Sequence, residues 1–363
     1  MVAPSGEQYD ISAAGYRAVV TESGAALRVL EYDGRPIVDG FAEDELCRSG
    51  RGQLLMPWPG RIEDGRYTFG GRELQLPWTE PGRRTAHHGL VRWAAWTVVE
   101  HTSGSVSLLH RVPAQPGYPW SLELQVSYDL SADGLTVTQT ATNLSDTEAP
   151  FAAGAHPYLC VGPGQIDTWE LTLPASRRTL VDERKLPVGS EDVEGTDFDF
   201  RISRPIKETV FDDAFGDLDR DPSGRTNVVL EGDRDGVTLW VDETVNWLQV
   251  FSADAPEQGG RRALAIEPMT AQANAFRTGE DLTVLAPSGQ AGDDFSMSWG
   301  IRVNRSGRAA GAPRAAPGRR PSPGSPSRRR WCRRRGRGSP RAHPGAGARR
   351  APRRTRRPAS CSR

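Results

Sequence analysis

The chain reads as an all-β protein, a large antiparallel β-sandwich, and three observations predict it. Apolar residues alternate with polar ones over short runs, the period of a strand with one buried face. The runs are separated by Gly, Asp, Asn, Ser or Pro clusters of the hairpin type, among them Gly70-Gly71, Asp133-Gly134 and Asp235-Gly236. Apolar residues recurring at three and four, the mark of a helix, are almost absent.

In chain order, the alternation predicts strands at 16–22 (YRAVVTE), 26–33 (ALRVLEYD), 95–101 (AWTVVEH), 105–111 (SVSLLHR), 120–130 (WSLELQVSYDL) and 135–143 (LTVTQTATN). It continues at 227–232 (NVVLEG), 236–242 (GVTLWVD), 247–253 (WLQVFSA), 262–268 (RALAIEP) and 281–287 (DLTVLAP). So many short strands joined by tight turns bury their apolar faces best as stacked sheets. No linker interrupts 1–304, which is expected to be one domain. The stretch 175–225, rich in Asp and Arg and poor in alternation, is expected as loop lying over one face or rim. There is no repeat of fixed period, and no low-complexity segment before residue 305.

The formal net charge of zero averages two unlike parts. Residues 305–363 carry 20 arginines and no Asp or Glu, so residues 1–304 hold 26 basic against 46 acidic side chains. The body is therefore acidic. The tail has no Val, Ile, Leu, Met or Phe, hence no burial to offset the entropy of ordering its backbone, and is expected to be disordered. Arg, Pro, Gly, Ala and Ser are what GC-rich DNA encodes in any frame, so 305–363 reads as a frameshift or read-through product. The alternative is an arginine-rich arm for polyanions. No aromatic or helical pattern accompanies the charge, and nucleic acid is not the expected partner.

The four cysteines, Cys47, Cys160, Cys332 and Cys361, form no CxxC and argue for a reducing compartment. No basic segment followed by an apolar stretch opens the chain, and no run approaches the length of a membrane span. A cytoplasmic protein is expected.

Chemistry concentrates in a few places. Between Met56 and Trp93 the run MPWPGRIEDGRYTFGGRELQLPWTEPGRRTAHHGLVRW combines tryptophans, arginines and a histidine pair. Such a mixture is costly to bury and reads as the wall of a binding cleft. His101 and His110 sit in alternating runs and are expected to face solvent. His88 differs, because Gly89 follows it and lets the backbone approach a ligand closely. His156 is bracketed by Gly154 and Pro157 in AGAHPYL. Glu267 follows the apolar run 263–266 and precedes Pro268, so the strand is expected to end there, with the carboxylate at a sheet edge or cleft mouth. A carboxyl in apolar surroundings holds its proton more tightly, as a useful base does. The alternative is a Glu267 paired with an arginine such as Arg61.

Other chemistries lack their signatures. There is no HExxH, no CxxC and no histidine pair at helical spacing, so a metal site would have to be assembled from distant residues and none is expected. An extended His87-His88 pair would point to opposite faces. Neither a P-loop, nor GxGxxG after a strand, nor a GxSxG elbow occurs, and no cofactor is expected. What is left is acid–base chemistry by Glu and His beside arginine in an aromatic cleft, suited to the C–H faces and hydroxyls of sugars. Opening a cyclic hemiacetal needs only such an acid and base.

The motifs PWPGRIEDGRYTFGGRELQL, EPGRRTAHHGLVRW, AHPYL, FDDAF and IEPMT, in this order, resemble the signatures of the aldose 1-epimerase (galactose mutarotase) family, and most nearly its bacterial subgroup with PWPNRI and HGLVRW. The likeness covers most of 10–303. It implies an isomerase that interconverts the α and β anomers of free aldohexoses such as glucose or galactose. Glu267 would be the general base at the anomeric hydroxyl and His156 the general acid at the ring oxygen. Arg61 and His88 would bind sugar oxygens, and Asp212, or its neighbour Asp213, the ring hydroxyls. Gly60 departs from the family's Asn, and the tail has no family counterpart. The surplus of arginines keeps a hexose 6-phosphate open as substrate, and Gly60 keeps open a sugar-binding module without catalysis.

Overall fold

The computed structural model describes residues 2–304 apart from Arg234; the expected tail at 305–363 lies outside the described residues. Almost everything regular is strand, paired antiparallel. A nine-stranded sheet runs in the order Arg204–Pro205, Glu170–Thr172, Thr226–Glu231, Gly236–Val241, Asp294–Asn304, Gly134–Asn143, Leu122–Ser131, Ser105–Val112, Thr97–His101. A six-stranded sheet runs Tyr158–Leu159, Leu264–Met269, Trp247–Phe251, Asp212–Leu218, Ala175–Val181, Pro187–Asp192. A four-stranded sheet at the N-terminus starts with Gln8–Ala13 and Tyr16–Thr21.

Period-two burial drives the stacking. In Leu122–Ser131 the side chains of Leu122, Leu124, Val126, Tyr128 and Leu130 are buried, with more exposed residues between them. They join one apolar cluster with Leu248, Val250, Ile266 and Phe215 of the six-stranded sheet. Burying each such side chain contributes roughly 1.5–3 kcal/mol. Turn chemistry also acts as read: Gly70 and Gly71 both have positive φ, 56° and 74°, and close the hairpin between Arg66–Phe69 and Arg72–Gln75.

Two expectations change. The stretch 175–225 is not a covering loop, because Ala175–Val181, Pro187–Asp192 and Asp212–Leu218 are members of the six-stranded sheet. Their alternation is hidden because both faces carry polar groups, such as Arg178 bonded to Glu191 at 3.0 Å. Nor does the strand bearing Glu267 stop before Pro268, since Leu264–Met269 runs through it. The Pro268 carbonyl accepts from the Ala155 amide at 3.1 Å, so its nitrogen faces the side where Tyr158–Leu159 has already ended and no ladder bond is lost.

Candidate active site

Strand register builds the floor of the site. Gln249 pairs with Glu267 and Ala214 pairs with Gln249, so Ala214, Gln249 and Glu267 form a row across one face of the six-stranded sheet. The opposite face holds Leu248, Val250 and Ile266 in the core. A cavity of about 260 Å³ rests on that row, and segments carrying Arg61, Glu80, His87, His88, Arg92 and His156 wall it. Glu267 is therefore not at a sheet edge but on the cavity floor, 3 % exposed.

His156 arrives from the segment preceding Tyr158–Leu159, held by its amide donating to the Gln53 carbonyl at 3.0 Å and its carbonyl accepting from Gly52 at 2.9 Å. Its ring stacks on Tyr158 at 5.0 Å and places Nε2 3.3 Å from Oε1 of Glu267. Gly50 makes room for this ring: a Cβ there would stand 2.7 Å from Cδ2 of His156, and its φ is +73°. Oε2 of Glu267 and Nδ1 of His156 are buried without a protein partner. Unmet buried polar atoms cost about 1–3 kcal/mol each, a cost that a ligand's oxygens and hydroxyls would remove.

Burial, foremost, and then the Asp212 charge raise the Glu267 carboxyl well above its ordinary range. Burial likewise leads in pushing His156 down to about 3, with Arg92 and Arg51 adding to it. Both groups are driven to their neutral forms, so the pair holds one proton.

His88 does not form an extended pair with His87. Its φ of 60° turns the chain, and the two rings lie 3.6 Å apart on the same cavity wall. The Gly60 amide donates to Nδ1 of His88 at 3.1 Å, which leaves Nε2 to carry the imidazole proton. Burial, then His87 and His156, hold His88 well below its ordinary value, so it is a neutral hydrogen-bond donor. Gly89 serves packing rather than a ligand: a Cβ there would meet the Met56 carbonyl oxygen at 2.0 Å.

Arg61 is bound not to Glu267 but to Glu80, at 2.7 and 3.1 Å. Burial alone would raise Glu80, but the Arg61 bond and charge outweigh it and hold it at about 2. The adjacent aspartates separate: Asp212 lines the cavity and meets Nζ of Lys185 at 2.8 Å, whereas Asp213 turns to Arg178 at 3.4 Å on the other face. None of the tryptophans from the 56–93 run lines the cavity. Trp58 is buried, and Trp78 and Trp93 are 45 % and 56 % exposed elsewhere. The aromatic surfaces of the site are Tyr158, Phe251 and the histidine rings.

Gly60, at φ +63°, occupies a left-handed position that Gly and Asn adopt with least strain, which fits their exchange at this place. A Cβ would press on Ala273 at 3.0 Å. Glu80, His87, Arg92, Lys185 and Gln249 were not singled out as site residues by sequence reasoning. Only the arginine and HH signals pointed toward any of them. Ligand atoms of His88, His156 and Glu267 lie within 4.8 Å of one another, a donor set that also suits a divalent transition metal. To bind one, Glu267 would have to release the proton that burial holds on it.

The family model for aldose 1-epimerase matches residues 7–296. The chain belongs to the aldose 1-epimerase family. The uncharacterized Escherichia coli (strain K12) protein YihR is 32 % identical over 282 residues, covering 77 % of this chain and 89 % of that one. Mouse galactose mutarotase is 31 % identical over 194 residues, and the match spans 50 % of this chain and 55 % of that protein. Among solved structures, the GalM/aldose epimerase homologue of C. elegans superposes with TM-score 0.71 at 19 % identity, covering 82 % of this chain and 98 % of the other. Galactose 1-epimerase from Lactobacillus acidophilus NCFM gives TM-score 0.68 at 20 % identity, covering 81 % and 92 %. These show the galactose mutarotase-like sandwich fold. Among the described residues no helix is long and apolar enough to cross a membrane.

Proposed function

We propose that this protein is a mutarotase that interconverts the α and β pyranose anomers of aldohexoses such as glucose or galactose, without a cofactor. The observation that carries the reading is the buried Glu267–His156 pair, 3.3 Å apart, on the floor of a cavity of about 260 Å³. A cavity below the roughly 300–1,000 Å³ of drug-sized sites suits one sugar ring rather than an oligosaccharide.

Ring opening uses the pair as Glu267 carboxylate and His156 imidazolium. Glu267 takes the proton of the C1 hydroxyl, the C1–O5 bond breaks as C1 becomes an aldehyde, and His156 gives its proton to O5. The pair is then carboxylic acid and neutral imidazole, the forms that burial favours. Rotation about C1–C2 presents the other carbonyl face. On closure His156 takes the O5 proton and Glu267 returns one to O1. Arg61 and His88 donate to sugar oxygens, and Asp212 accepts from ring hydroxyls. Each proton transfer contributes about 10²–10⁴-fold.

The test is polarimetry on freshly dissolved α-glucose and α-galactose. Glu267→Gln is expected to lower kcat by about 10²–10⁴-fold while the protein stays folded; equal rates would sink the mechanism. Sugar binding by calorimetry with no accelerated exchange would favour a binding module instead.

A further inference from the structure

The segment 49–53 cradles His156 and Tyr158. The Ser49 carbonyl accepts from the Tyr158 hydroxyl at 2.8 Å, Gly50 leaves room for the His156 ring, and Gly52 and Gln53 hold the His156 backbone. Arg51 is the one side chain of the cradle with a charge. Its guanidinium carbon lies 4.3 Å from the centre of the Tyr158 ring, which is parallel within 1° to the His156 ring at 5.0 Å. A fixed cation therefore stands one aromatic ring away from the imidazole. Arg51 does not line the cavity, and its side chain is 2 % exposed. Oδ2 of Asp39 accepts from its Nε and NH2 at 3.1 and 3.0 Å, and the Gln258 carbonyl accepts at 2.6 Å. Burying an ion pair in this way is seldom a gain in stability over apolar packing, which directs attention to what the charge does there.

We propose that Arg51 is a positioning residue for the sugar reaction: through Tyr158 it fixes the plane of the His156 ring, and its charge repels a second proton from that ring. The inference rests on the mutarotase reading, in which His156 must give one proton to the ring oxygen and take it back from the same place. A tilted ring would miss that oxygen, and a ring held as imidazolium beside a protonated Glu267 could not take the proton back. Burial comes first in holding His156 at about 3, and Arg92 and then Arg51 add to it. The other groups that face the imidazole are Glu267 on the floor, His87, His88 and Arg61 on the walls, and Tyr158 beside it. Asp39 and Cys47 act on Tyr158; the Cys47 thiol, which burial pushes up to about 12, is neutral, and Asp39 is the only one of the two to offset Arg51. Asp39 is a quarter exposed, so its offset is partial.

The test follows the His156 ring by NMR in protein carrying isotope-labelled histidine, from neutral pH down to the lowest pH at which each variant stays folded. Anomer exchange of glucose is measured beside it. Arg51→Met keeps a stem of similar length without the charge. It is expected to raise the His156 midpoint by about one pH unit, the effect of one unit charge across a ring at an effective dielectric of about 20. It is also expected to lower kcat by about 10-fold with KM changed less than about twofold, since Arg51 touches no sugar. Arg51→Lys, which keeps the charge without the planar group, is expected to hold the wild-type midpoint and recover only part of kcat. An unmoved midpoint or wild-type kcat in folded Arg51→Met would overturn the proposal. Should Arg51→Met not fold, Asp39→Asn decides: by loosening Arg51 while leaving its charge, it is expected to lower kcat without raising the midpoint, and a raised midpoint or wild-type kcat overturns the proposal. If wild type exchanges no sugar, the mutarotase reading fails. The His156 midpoint still decides the Arg51 inference separately: a rise in Arg51→Met supports its action on that ring, and an equal midpoint overturns it.

Discussion

Burial drives Glu267 and His156 to their neutral forms, and under the mutarotase proposal that sets the pH range in which the pair works. Adding a second proton is opposed by the burial that pushes His156 down to about 3; removing the first is opposed by the burial that raises Glu267. Between the ordinary values of 4.5 and 6.5 the one-proton state therefore dominates in the free enzyme. Corrected for spontaneous mutarotation, kcat/KM is expected to stay level across that window. An acid limb with a midpoint near 6.5 would show that His156 titrates as an exposed imidazole and would count against the shared proton. Gly50 offers a second test at this scale. Gly50→Ala forces a Cβ against Cδ2 of His156 at 2.7 Å and a side chain into positive φ, at a cost of about 1–2 kcal/mol for the backbone alone. It is expected to slow turnover more than it weakens sugar binding, because the displaced group is the proposed acid. Wild-type kcat in a folded Gly50→Ala protein would mean that the His156 ring is not held by this contact.

The strand Asp294–Asn304 links the two halves of the nine-stranded sheet, pairing with Gly134–Asn143 on one side and Gly236–Val241 on the other. Its Met297, Trp299 and Ile301 alternate inward, a signal present in the sequence but passed over in the strand reading. At Gly300 the Trp240 ring lies over the backbone, and a Cβ would meet its Nε1 at 2.5 Å and the Leu135 carbonyl oxygen at 2.2 Å. Glycine inside a strand ordinarily weakens it, so Gly→Ala should help. Here the crowding reverses the sign. Gly300→Ala is expected to destabilise by about 1–3 kcal/mol, read as a lower urea midpoint with an unchanged m-value. A raised midpoint would refute the packing of Trp240 over this position.

For the whole molecule, the buried histidines set the pH of greatest stability. His88 stays neutral in the fold, while in the unfolded chain it is protonated below 6.5. The unfolded state then binds more protons, so stability falls on acidification, by up to about 1.4 kcal/mol per pH unit from His88 alone. The His156–Glu267 pair binds one proton in both states between 4.5 and 6.5 and adds no slope there. Above 6.5 the unfolded pair is bare while folded Glu267 keeps its proton, so stability falls as pH rises toward the raised Glu267 value. Tm is expected to peak near pH 6.5, and His88→Gln to make the acid side shallower, the remaining slope coming from His87, which burial also holds well below its ordinary value. A peak below 4.5 would show that these groups are not buried in their neutral forms.

Alternation and turn residues by themselves determined the all-β class and eleven of the twenty-five strands among the described residues, because burial on one face of a pleated strand is a local, period-two property. Motif order marked Arg61, His88, His156, Asp212 and Glu267. Local sequence failed where a strand has polar groups on both faces, as in Ala175–Val181 and Asp212–Leu218, and where backbone conformation overrides extension, as at His88. Only the tertiary structure put Asp212 and not Asp213 on the cavity, gave Arg61 to Glu80 and brought His156 to Glu267. Those outcomes are set by register across a sheet and by pairing between residues far apart in the chain. Charge pairing and desolvation depend on distances in space, which a linear pattern does not contain.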